Sequence, residues 1–182
     1  MVTMTRYIAF LRAINVGGHT VKMEALRHLF ETLGFQDVET FIASGNVIFQ
    51  TPFEDAALLE STIASELKNA LGYDVATFIR TEAELTRLAA HQAFPQPEVD
   101  AAVSNNVAFL ANPLNEEEKH KVMALTSEID HFAVHGREIY WLCGKRQSES
   151  TFSNAVLEKT LGVKSTIRGM NTITRMVSSL KR

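Results

Sequence analysis

The sequence predicts an α+β protein of two ferredoxin-like (βαββαβ, α-β plait) subdomains with antiparallel sheets and an extra C-terminal helix. Three observations predict it. Strand-like and helix-like segments run in the order strand, helix, strand, strand, helix, strand, and do so twice. An internal repeat aligns the halves. Phe41, Gly45 and Ile48 match Phe132, Gly136 and Ile139 at an offset of 91, and Leu67, Leu71 and Gly72 match Leu157, Leu161 and Gly162 at an offset of 90. Two short turns, Ser44-Gly45-Asn46 and His135-Gly136-Arg137, each join two strand-like runs through a central glycine.

Tyr7–Leu11 is an apolar strand, and Phe10-Leu11 resembles Phe109-Leu110 in the second half. Met23, Leu26, Phe30 and Leu33 recur at helical spacing, with Thr20 as the expected cap. Strands are expected at Val38–Ala43 and Val47–Gln50. Thr51-Pro52-Phe53-Glu54 reads as a capping box, and Leu59, Ile63, Leu67 and Leu71 line the helix it opens. A strand at Val75–Arg80 ends the first half, residues 1–80. Residues 81–104 read as a connection: Thr81-Glu82-Ala83-Glu84 opens a short helix, and Pro95-Gln96-Pro97 reads as a linker.

The second half, residues 105–182, repeats the pattern. Strands are expected at Val107–Leu110, Ile129–Val134, Glu138–Leu142 and Ser165–Arg168. Asn115-Glu116-Glu117-Glu118 opens a helix, its acids favoured by the helix dipole. Asn171 is the expected cap of the added last helix, with Ile173, Met176, Val177 and Leu180 facing inward. Leu33-Gly34-Phe35, Leu71-Gly72-Tyr73 and Leu161-Gly162-Val163 each read as a left-handed helix end.

Size and composition narrow the class. With 182 residues and 46% hydrophobic content, the chain can bury a substantial core. No apolar run reaches the length that crosses a bilayer, and the N-terminus lacks a signal-peptide pattern. A single cysteine, Cys143, excludes an internal disulfide and favours a reducing, cytoplasmic setting. The net charge of −3 divides into −9 over residues 1–158 and +6 over residues 159–182. Cations near the end of a last helix suit its dipole.

One stretch stands out for chemistry. After the first strand come Arg12, Asn15, Gly17, Gly18, His19 and Lys22, at the junction with the first helix. Amides at a helix N-terminus bind anions. Those near Val21 and Lys22 are expected to be exposed, with Arg12 and Lys22 supplying charge and the glycine amides hydrogen bonds. No Gly-Lys-Ser/Thr occurs at phosphate-loop spacing, and a dinucleotide fingerprint is missing. Arg168 and Asn171, at a strand end beside a helix start, form a second candidate. The corresponding first-half strand end is Arg80-Thr81. Ser44 and Asn46 are polar, but the hairpin that holds them is expected at the sheet end opposite Arg12.

Other chemistries lack support. The six histidines are scattered and a lone cysteine joins none of them, so no metal site is expected. His131 and His135 share a strand, the second at its turn. Cys143 comes after Trp141-Leu142 in an apolar strand, where a buried thiol is inert. No Gly-x-Ser-x-Gly elbow anchors a hydrolase triad. No cofactor and no catalytic residue is identified, and no oligomeric state is implied. Tyr7, Phe41, Phe49 and Phe78 could stack RNA bases on an open sheet, but the acidic first 158 residues disfavour nucleic acid.

Two motifs carry a family resemblance. Phe10-Leu11-Arg12-Ala13-Ile14-Asn15-Val16-Gly17-Gly18-His19 with Lys22-Met23 and Leu26-Arg27 is the first. Ile42-Ala43-Ser44-Gly45-Asn46-Val47-Ile48-Phe49 is the second. On these the chain resembles DUF1697, a family of bacterial proteins of unknown function. The resemblance implies two ferredoxin-like subdomains and no activity. The chain departs from the pattern near its end. Thr166-Ile167-Arg168-Gly169-Met170-Asn171-Thr172 lacks an Asn-Trp pair, and Ser153-Asn154-Ala155 lacks a cation.

The functional expectation is a cytoplasmic protein binding a small anionic ligand, phosphorylated or nucleotide-like, at the first strand–helix junction. The alternative is a non-catalytic module that binds RNA or self-associates through its sheets.

Overall fold

The structure is a computed structural model and describes residues 1–15, 18–42 and 45–182. The chain divides into two units, Met1–Arg87 and Leu88–Arg182. The first unit runs β1 (Thr5–Leu11), α1 (Met23–Thr32), β2 (Gln36–Thr40), β3 (Asn46–Thr51), α2 (Ala56–Leu71) and β4 (Thr77–Thr81). Helix α3 (Glu82–Ala90) spans the division. The second unit continues with α4 (Gln96–Ala101), β5 (Ser104–Phe109), α5 (Glu116–Met123), β6 (Asp130–His135) and β7 (Glu138–Cys143). It closes with α6 (Asn154–Leu161), β8 (Thr166–Gly169) and α7 (Met170–Leu180).

Each unit holds a four-stranded antiparallel sheet, ordered β2-β3-β1-β4 and β6-β7-β5-β8. This is the ferredoxin-like arrangement, twice. In both units alternate strand residues separate two faces. Tyr7, Ala9, Leu11, Val47, Phe49 and Ile79 pack with Leu26, Phe30, Leu59, Ile63 and Leu67 of α1 and α2. Ala108, Phe132, Ile139 and Trp141 pack likewise with Val122 of α5 and Leu157 of α6. The opposite faces are also closed: Ile8, Phe10, Ile48 and Phe78 in one sheet, and Val107, Phe109, Tyr140 and Leu142 in the other, are all buried. Helix α7 lies against β5 and β8.

The repeat extends to single hydrogen bonds. Leu11 N donates to Gly45 O and Leu110 N to Arg137 O, each at 2.9 Å. Ile8 pairs with Arg80 as Val107 pairs with Arg168. Both arginines are buried, and each Nη1 donates to the carbonyl of its preceding residue, Ile79 or Ile167.

The capping boxes at Thr81/Glu84 and Asn115/Glu118 form as expected. Gly34, Gly72 and Gly162 adopt φ of +87°, +84° and +70°, ending their helices in the left-handed region as the Leu-Gly pattern predicts. Three expected caps are corrected. Thr51 stays in β3, because it pairs with Thr5, and α2 is capped by Asp55, whose Oδ1 accepts from Leu58 N. The N-cap of α1 is Lys22, not Thr20, and it makes no side-chain cap. The N-cap of α7 is Gly169, because the helix starts directly at the end of β8, and Asn171 lies inside its first turn. Pro95-Gln96-Pro97, read as a linker, is the start of α4, where Pro suits the first helical turn.

Candidate functional site

Three loops meet at one end of the first sheet: β1–α1, β2–β3 and α2–β4. Leu11 N reaches Gly45 O, and the next amide, Arg12 N, donates to Ala76 O at 2.9 Å. This corrects the expectation that the Ser44-Gly45-Asn46 hairpin lies opposite Arg12. The β1–α1–β2 crossover sets β2 parallel to β1 with β3 between them. The end of β2, and so its hairpin, therefore falls beside the end of β1. Register agrees: Phe10 pairs with Asn46.

The join is tight. Gly45 has φ +79°, and a Cβ there would run into Ile14 Cγ2 and lie 3.2 Å from Leu11. Only glycine meets both demands. Asn46 is fully buried and its Nδ2 donates to Phe41 O at 2.9 Å, closing the hairpin. Across the end, the His19 ring stacks on Tyr73 at 3.8 Å between centroids. The Tyr73 hydroxyl is buried with no hydrogen-bond partner among the described residues. Such a group calls for an explanation.

Backbone strain gathers here. The non-glycine residues at positive φ are Ala13 (56°), Asn15 (59°), Asp37 (48°) and Ile42 (58°) among the described residues. Three of the four lie in the β1–α1 and β2–β3 loops, and a β-branched residue in this region is a genuine outlier. In the second unit, only glycines take positive φ among the described residues. Strain of this kind, at about 1–3 kcal/mol per residue, is concentrated at functional sites.

The expected site residues divide between the two units. Arg12 is half-buried at the end of β1. Asn15 turns inward on its own loop: its Oδ1 accepts from Val21 N at 2.5 Å. The Val21 amide, expected to be exposed, is thereby used. Gly18, at φ +85°, is exposed with open space around it, so its backbone angle is what requires glycine. Lys22 is exposed at the start of α1, whose N-terminus has no side-chain cap. Gly17 and Ser44 lie outside the described residues.

Arg168 and Asn171 belong to the second unit. Arg168 is buried, and its Nη1 donates to Thr166 Oγ1 at 2.7 Å and Ile167 O at 3.0 Å. Burial pulls its pKa down to about 10. Asn171 is exposed on α7.

The histidine pattern in the sequence hides two through-space contacts. His19 meets Tyr73, and His91 stacks on His135 at 4.0 Å with Tyr140 tilted beside it. The Tyr after Leu71-Gly72 marks a helix end and gives no sign of the stack. No group of three metal-ligating side chains occurs among the described residues. No helix of the described residues is long and apolar enough to cross a membrane.

No curated protein matches this sequence. The chain is similar in structure to the conserved bacterial protein SP0830 from Streptococcus pneumoniae. The TM-score is 0.76 at 23% identity, covering 98% of this chain and 99% of that one. At that identity the likeness establishes the fold. The family model described as a protein of unknown function, DUF1697, matches residues 4–140, which include both motifs and stop before the divergent C-terminal segment. The chain is therefore a member of the DUF1697 family.

Proposed function

We propose that the β1–α1 end of the first unit binds a small anionic ligand, phosphorylated or nucleotide-like, in a cytoplasmic protein. The observation that carries this is the convergence of both family motifs on one sheet end through the Leu11–Gly45 hydrogen bond. Arg12 and Lys22 supply positive charge there. The N-terminus of α1 adds about half a unit charge from its dipole, with no side chain capping it. Strained residues and the Tyr73 hydroxyl mark the same place.

The alternative, RNA on an open sheet, draws less support. Tyr7, Phe49 and Phe78 are buried, so three of the four aromatics are unavailable for base stacking. Pairing through sheet edges also meets an obstacle: β2 carries a register shift between Gln36 and Glu39, with Asp37 left-handed, and a bulged edge resists strand addition.

The test is a thermal-shift screen of phosphate esters and nucleotides on the wild type and on Arg12→Ala. The proposal expects at least one stabilising anion whose effect is lost in Arg12→Ala. It fails if every stabilising anion acts equally on the variant.

A further inference from the structure

A cavity of about 300 Å³ lies in the second unit. The end of α3, the His91–Phe94 turn, α4, β5, β7 and the start of α7 line it, and it is half open to solvent. It is independent of the anion site in the first unit. It uses the segment that the sequence presents as a connection between repeats.

No Asp, Glu, Lys or Arg lines this cavity among the described residues. Its walls are apolar at Phe94, Val99 and Met170, aromatic at His91 and Tyr140, and polar at Gln92, Gln96 and Asn105, with Gln96 Nε2 donating to Asp100 Oδ1 at 2.8 Å. Tyr140 Oη donates to Leu88 O at 3.3 Å, which leaves its lone pairs as acceptors. Burial and the neighbouring His135 hold the His91 pKa down, against a smaller pull from Glu138, so the imidazole is neutral near pH 7. An anion or cation would find no counter-charge here, and unpaired charge is costly to desolvate.

Asn105 gives the cavity its direction. It sits on β5 opposite Leu142, on the face that also carries Tyr140. Its neighbour Asn106 is fully engaged: Nδ2 donates to Ser104 Oγ and Trp141 O, and Oδ1 accepts from Gln147 Nε2. The Asn105 carboxamide has no hydrogen-bond partner among the described residues, yet it borders the cavity. A carboxamide offers one donor side and one acceptor side in a single plane. That pair complements a cis-amide or amidine edge, the pattern by which Asn reads adenine. The volume sits at the lower end for small-molecule sites, which suits a single ring system rather than an extended ligand.

We infer that this cavity binds a small uncharged planar heterocycle of the nucleobase type, its amide or amidine edge paired with the Asn105 carboxamide and its ring lodged among Phe94, Val99 and Met170.

The test is isothermal calorimetry of the full chain with adenine, uracil, hypoxanthine and nicotinamide at up to millimolar concentration. Val99→Trp fills the cavity, Asn105→Leu removes the Asn105 carboxamide, and Arg12→Ala controls for the first-unit site. The expected result is saturable binding of at least one base. Asn105→Leu weakens it about tenfold or more, as loss of a bidentate pair does, Val99→Trp abolishes it, and Arg12→Ala leaves it unchanged. Circular dichroism shows whether each variant folds. If Asn105→Leu misfolds, the Val99→Trp result decides. Binding of none of the four, or binding that persists in Val99→Trp, overturns the inference.

Discussion

The backbone amide of Leu11 donates to the carbonyl of Gly45 at 2.9 Å, and this bond ties the first strand to the first hairpin. Leu110 and Arg137 repeat it at the same length in the second unit. The geometry is thus a property of the repeated fold. The residues after Leu11 are not repeated: Arg12, Asn15, Gly17, Gly18 and Lys22 have only Ala111, Asn112 and Pro113 as counterparts after Leu110. The fold supplies the meeting of loops, and the first unit alone equips it.

Gly45→Ala should destabilise the first unit by about 2 kcal/mol or more, since it adds a left-handed strain and an overpacked contact with Ile14. Urea denaturation measures it. A loss of less than about 0.5 kcal/mol, the range of neutral surface changes, would count against the tight join.

Asn15→Ala should cost about 1–2 kcal/mol, because Val21 N loses its acceptor and the left-handed position loses a tolerant residue. Asn15→Gly should cost less, since glycine keeps the backbone angle. Amide exchange at Val21 should speed up in both variants.

Much of this was legible in the sequence, and the failures have physical causes. Each of the eight expected strands overlaps a strand of the structure, because apolar alternation and the repeat both encode them. The caps at Thr20, Thr51 and Asn171 failed because a capping side chain is only a local preference. Pairing of Thr51 with Thr5 outweighs it in one case, and the direct β8–α7 junction outweighs it in another. The site was legible as two motifs but not as one place, since their convergence depends on strand order. The His19–Tyr73 and His91–His135 stacks join residues far apart in sequence, and no local pattern announces them.

The His91 imidazole should titrate below the ordinary value of 6.5, because burial and His135 both oppose its protonation. His135→Ala should raise its pKa, and Glu138→Gln should lower it further. In the folded state His91 binds its proton less readily than in the unfolded chain. Its contribution to stability is therefore present above pH 6.5 and lost as pH falls through the lowered pKa. Proton-detected NMR of the histidine ring signals checks the order of the three values.

Asp130 is buried, and its carboxylate accepts from Trp141 Nε1 at 2.8 Å and Ser150 Oγ at 2.5 Å. Asp130→Ala should destabilise by about 3 kcal/mol, since both donors lose a charged acceptor. Trp141 is the single tryptophan, so its fluorescence should report the change directly. Burial also pushes the Cys143 thiol up, so native protein should react slowly with thiol reagents and Asp130→Ala faster.

The sharpest test of the first-unit site is an amide NMR titration of the full chain with inorganic phosphate. An anion site at this sheet end predicts saturable shifts grouped at Arg12–Lys22, Phe41–Asn46 and Gly72–Ala76, and their loss when Arg12→Ala and Lys22→Ala are combined. Shifts that scatter over both units, or that persist in the double variant, would contradict it.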